Sequence, residues 1–126
     1  MRTIAVLQTM REILSPAGAW CRGAYALAAD GRQVHECHSE ACAWCLTGAF
    51  GAAREEHGVG FGADIDKTAL FRIADAAGIE CGRDVDILRI QGWNDDANRT
   101  QTDVLAIIDR AIAEERRRMM AGEEAV

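Results

Sequence analysis

No stretch of this chain approaches the ~20 consecutive apolar residues needed to span a bilayer, so a membrane helix is not expected. A basic surplus is also missing: 14 Lys and Arg stand against 20 Asp and Glu, for a net charge of −6. Nucleic-acid binding draws its affinity from basic side chains neutralising phosphates, and this balance argues against it. The densest basic run, Arg116-Arg117-Arg118, lies between Glu114-Glu115 and Glu123-Glu124 and reads as a solvated helix end. No signal-peptide core develops, because Gln8, Arg11 and Glu12 interrupt the apolar N-terminus. The five cysteines are odd in number, which speaks against a closed disulfide framework. A cytoplasmic protein with reduced thiols is the expectation.

What is present suits one ordinary domain. The chain has 126 residues, 49% of them hydrophobic and 27% charged, and single domains commonly hold ~100–150 residues. Residues 1–120 are expected to form a single helical domain, with 121–126 as a disordered tail. No internal repeat or second domain is visible.

Hydrophobic spacing outlines the elements. Ile4, Leu7, Met10 and Leu14 recur at helical intervals, predicting a first helix over Thr3–Leu14 that Ser15-Pro16 ends. Asp30-Gly31 predicts the turn of a short β-hairpin, since glycine accepts the positive φ such turns need. Ser39 then reads as the cap of a second helix carrying Ala41, Cys42, Trp44, Cys45, Leu46, Ala49, Phe50 and Ala53 and stopping at Gly58. Gly58, Gly60 and Gly62 look like a linker; they lack the Lys-Ser/Thr ending of a phosphate loop. A third helix opens at Asp64 or Asp66 and closes at Gly78. Val85–Ile90 fits strand and helix alike, and Gly92–Arg99 has the composition of a polar loop. Thr100 and Asp103 resemble a capping box at the head of a last helix over Gln101–Met119, striped by Val104, Ile107, Ile108, Ala111 and Ile112. The expected fold is mainly α (α+β): a compact bundle of four to five helices with one short β-hairpin.

Three segments taken in order resemble an uncharacterised family of small bacterial and phage proteins, a domain of unknown function. They are Trp20-Cys21-Arg22-Gly23-Ala24-Tyr25-Ala26 ahead of Asp30-Gly31, then Trp44-Cys45-Leu46-Thr47-Gly48-Ala49, and last Trp93-Asn94-Asp95 leading to Arg99-Thr100 and Val104-Leu105. The resemblance implies this architecture and a mobile-element context; it carries no activity and no catalytic residue. The cysteine and histidine enrichment around Glu36 departs from the family pattern.

That enrichment places His35, Cys37, His38, Cys42 and Cys45 within eleven positions. Zinc takes four Cys or His ligands, and Cys-x2-Cys is a common half-site. On a helix Cys42 and Cys45 would lie one turn apart, with Cys37 or His38 reaching in from the preceding loop. No second such pair follows, and small thiols also pack as core. A zinc-stabilised binding module is therefore the alternative reading. The third is a thiol-dependent enzyme using Cys45, whose pKa a helix start would lower, with His38 or His57 as base and Asn94 or Asp95 as orienter. His57 stands twelve residues beyond Cys45, about 18 Å along a continuous helix.

Trp93-Asn94-Asp95, with Arg99 near the start of the last helix, is the expected partner-binding loop. Trp93 offers an apolar face, Asn94 and Asp95 can shape a turn or hold a ligand, and Arg99 can help receive an anion. With no complete catalytic constellation and no cofactor fingerprint, the sequence reads as a non-enzymatic protein-interaction or regulatory module. Its expected partner is another protein. No resident cofactor is expected, zinc being the one candidate.

Overall fold

The computed structural model describes residues 2–58 and 67–122. Within them lie five helices, α1 (Arg2–Leu14), α2 (Leu46–Glu56), α3 (Thr68–Ala77), α4 (Ile87–Asp95) and α5 (Gln101–Met120). Three short strands, β1 (Ala26–Ala28), β2 (Gln33–Val34) and β3 (Ala41–Trp44), form an antiparallel sheet in the order β2-β1-β3. The fold is mainly α with a small β element, as the residue pattern predicted.

The helices bury the stripes that spacing assigned to them. Leu7, Met10 and Leu14 of α1 are fully buried, while Arg11 turns outward to Asp109 at 2.8 Å. In α5, Val104, Ile107, Ile108, Ala111 and Ile112 face the same core. Thr100 and Asp103 make both bonds of the capping box, which satisfies two otherwise orphaned donors. Helix α1 packs on α2 and α5, and α3 packs on α5. Gln101 Nε2 donates to the carbonyls of Leu14 and Pro16, each at 2.7 Å, and so ties the end of α1 to the start of α5. Helix α3 ends at Gly78 (φ 75°) with Ile79 N bonded to Ala74 O and Gly78 N to Asp75 O, the paired bonds of a Schellman stop. Between α3 and α5, Arg72 Nε meets the wholly buried Glu115 at 2.7 Å.

Three expectations are corrected. The hairpin forms about Asp30-Gly31, with Ala26 opposite Val34 and Leu27 opposite Gln33, but it gains a third strand. Residues Ala41–Trp44, assigned by spacing to a helix, pair with β1 instead. Trp44 also takes Cys21 N on its carbonyl and gives its own N–H to Ala19 O. Ser39 consequently caps no helix, and α2 begins at Leu46 with Cys45 as its cap. The segment ambiguous at Val85–Ile90 is helical from Ile87, with Asp86 accepting from Arg89 N at 3.1 Å. That helix continues through Gly92, Trp93 and Asn94 to Asp95, where loop composition had suggested a loop. The proposed linker glycines Gly60 and Gly62, and the helix start at Asp64 or Asp66, lie outside the described residues, as does 123–126 of the tail; α3 is described from Thr68.

Candidate functional site: a cleft beside a buried asparagine

The three motif segments meet at Asn94, which is 1% exposed. Its Oδ1 accepts from Trp20 Nε1 at 2.7 Å and from Leu46 N at 3.1 Å. Its Nδ2 donates to Cys21 O at 3.1 Å and to Asp95 Oδ1 at 2.9 Å. An amide has two acceptor sites and two donor hydrogens, so Asn94 is saturated, and the reversed amide would lose all four bonds. Leu46 N is one of the donors that the start of α2 leaves without a helical partner. A second one, Gly48 N, goes to Cys45 Sγ at 3.3 Å. Two side chains forty-eight and three residues from those donors therefore finish the helix end.

Close approach around this latch depends on one glycine. A Cβ on Gly48 would collide with the backbone carbonyl oxygen of Tyr25, which itself accepts from Cys45 N at 3.2 Å. The chain before β1 and the first turn of α2 thus lie backbone to backbone.

The neighbouring motif residues have distinct duties. Trp93 is half-buried against the core, and the Arg99 guanidinium sits 3.7 Å from its ring centroid while Arg99 Nε donates to Trp93 O at 2.9 Å. Arg22 lies over Trp20 at 5.0 Å and donates to Arg99 O at 2.6 Å. Asp95 is exposed, yet its Oδ1 also receives Gly23 N at 3.0 Å. Of the four residues assigned to partner binding, Asn94 is internal and Trp93 is stacked under Arg99. Asp95 borders a recess.

That recess is an open cleft of about 280 Å³ lined by Gly23, Ala24, Tyr25, Gln33, Cys45, Gln91 and Asp95. Gln91 precedes Asp95 by four positions on α4, so both share one helix face; Gln33 comes from β2 and Tyr25 from the turn into β1. Tyr25 lies in the first motif segment, but Gln33 and Gln91 gave no sign in the sequence, because their meeting with it depends on sheet register and on α4 running as far as Asp95.

The four metal candidates are spread over different elements. Cys45 is 3% exposed and engaged as a helix cap, and Cys42 is exposed on β3. Cys37 and His38 stand in the exposed turn before β3, where His38 Nδ1 accepts from Glu40 N at 3.0 Å. Cys42 and Cys45 are not one helical turn apart as spacing had implied, since a strand joins them. Among the described residues, no group of three His, Cys, Asp or Glu side chains is arranged to hold a metal.

The thiols follow burial. Desolvation pushes Cys45 above the ordinary thiol range, although the backbone N–H groups of Gly48 and Thr47 pull the other way. Cys21 is pushed up to about 12, by burial first and then by Cys45 and Asp95 nearby. The helix start was expected to lower the pKa of Cys45; desolvation outweighs it. His57 is 2.7 Å from Thr9 Oγ1 at the far end of α2, and His38 is in the turn before β3.

Among the described residues, no helix is long and apolar enough to cross a membrane. No curated protein and no solved structure matches the chain. A family model does match residues 1–114, a span holding all three motif segments and the whole cleft, so the chain belongs to DUF6197, a family of unknown function.

Proposed function

We propose that this protein is a non-enzymatic protein-interaction module that receives its partner at the cleft between the chain entering β1 and the end of α4. The observation that carries this reading is the saturated Asn94 latch behind the cleft. A recess whose backing is already bonded loses little entropy on binding. The most exposed of its lining side chains among the large apolar ones is Tyr25, at 46%, and tyrosine gives contact area with few rotatable bonds. The buried, protonated state favoured for Cys45 speaks for a packing role and against a nucleophile, because the thiolate is the reactive form. The mobile-element setting rests on the resemblance to small bacterial and phage proteins.

Capture on immobilised protein tests this, comparing wild type with Tyr25→Ala and Gln91→Ala after their melting curves are matched. The expected result is a bound protein lost from both variants while folding is kept. Identical capture by all three overturns the assignment of the cleft.

A further inference from the structure

Resting on the cleft as the recognition site, we propose that its occupant is a basic side chain, lysine or arginine, presented by the partner protein. Among the described residues that line the cleft, Asp95 is the one charged group. Its Oδ1 is held by Gly23 N and Asn94 Nδ2, while its Oδ2 takes no donor among the described residues. The carboxylate is thus fixed in place with an acceptor oxygen to spare. It is also the last residue of α4, where the negative end of the helix dipole already disfavours a carboxylate and favours a cation. A cation brought to this helix end meets both the carboxylate and the favourable end of the dipole.

The nearby cations do not answer it. Arg99 is stacked on Trp93 and Arg22 on Trp20, with further bonds to Trp93 O and Arg99 O; neither lines the cleft. The other walls suit the stem and head of a long basic chain. The Tyr25 ring can lie along the methylenes or under the charge. The side-chain carbonyls of Gln33 and Gln91 can accept N–H groups, and the protonated Cys45 thiol gives an uncharged wall. A volume of about 280 Å³ accommodates a single side chain. The net charge of −6 adds long-range attraction for a basic partner.

The test is a ¹⁵N NMR titration of the full chain with three blocked tripeptides, Ac-Gly-Lys-Gly-NH2, Ac-Gly-Arg-Gly-NH2 and Ac-Gly-Nle-Gly-NH2. The first two are expected to give saturable shifts at the amides of Gly23, Tyr25, Gln91 and Asp95, and norleucine none. Asp95→Asn keeps an acceptor for Gly23 N and removes the charge, so affinity should fall at least ~10-fold, in line with a charge-assisted hydrogen bond. Added salt should weaken the wild type alone. Shifts of equal size with norleucine, no shifts with any peptide, or unaltered affinity in Asp95→Asn would each overturn the basic occupant. Should Asp95→Asn fail to fold, the salt dependence and Gln91→Leu, which removes a neutral acceptor, decide in its place. Partner capture lost in Tyr25→Ala but kept in Asp95→Asn would leave the cleft as the site and reject its charge preference. Peptide binding with no cleft-dependent partner would do the reverse.

Discussion

Asn94 binds four groups from three different stretches of chain, three of them buried with it or half-buried. Truncation to alanine strands Trp20 Nε1, Leu46 N and Cys21 O together. At ~1–3 kcal/mol for each buried group left without a partner, Asn94→Ala should cost about 3–9 kcal/mol in chemical denaturation. A loss under ~1 kcal/mol would mean that water replaces the amide and that the latch contributes little. The thiols give a second prediction at this scale. The Cys21 thiol titrates near 9.0 in an unfolded chain and is raised to about 12 in the fold. The unfolded state therefore releases this proton first as pH climbs, so the stabilisation is full below 9.0 and is lost progressively between 9.0 and about 12. Cys21→Ala should flatten that decline when stability is followed across the window. In thiol labelling at neutral pH, the exposed Cys37 and Cys42 should react before the buried Cys21 and Cys45. Cys45 reacting first would restore the nucleophile reading.

At the scale of elements, legibility followed the source of each element's stability. Helices α1 and α5 hold long apolar stripes of their own, and their spacing, the Thr100–Asp103 box and the Gly78 stop could all be read from sequence. Strand β3 could not. Ala-Cys-Ala-Trp has little strand propensity, and what keeps it extended is bonding to β1 and to Ala19 and Cys21. The last turn of α4 was hidden likewise: Gly92, Asn94 and Asp95 are weak helix formers, overruled by the bonds of Asn94 and by Trp93 packing against the core. Part of the candidate cleft was therefore visible. Asp95 was singled out from the sequence, but Gln33 and Gln91 join it only once sheet register and helix length are known. Gly48→Ala tests the tightest meeting of elements. Its methyl meets backbone, with no flexible side chain to yield, so overpacking should cost at least ~1–3 kcal/mol. Melting temperature checks this, and an unchanged value would mean that the chain at Tyr25 moves aside freely.

Across the whole molecule, one core joins all five helices. Ile108 is wholly buried within it, and Ile108→Ala should lower stability by about 2–5 kcal/mol, the usual range for emptying such a site. An unchanged unfolding curve would place that face of α5 at an interface between molecules. Arg72 and Glu115 cross the same layer, and breaking one partner leaves the other charge buried, a loss greater than an exposed pair such as Arg11–Asp109 would show.

The latch also bears on the order in which the protein is made. Leu46 at the head of α2 waits for an acceptor forty-eight residues downstream, so a growing chain emerges with β3 and the start of α2 already formed as sequence yet still missing the group that closes them. Closing so long a loop is slow compared with forming a local helix. The boundary between strand and helix at Cys45 should therefore be settled late, when α4 docks, and the cleft beside it should come into being in that same event.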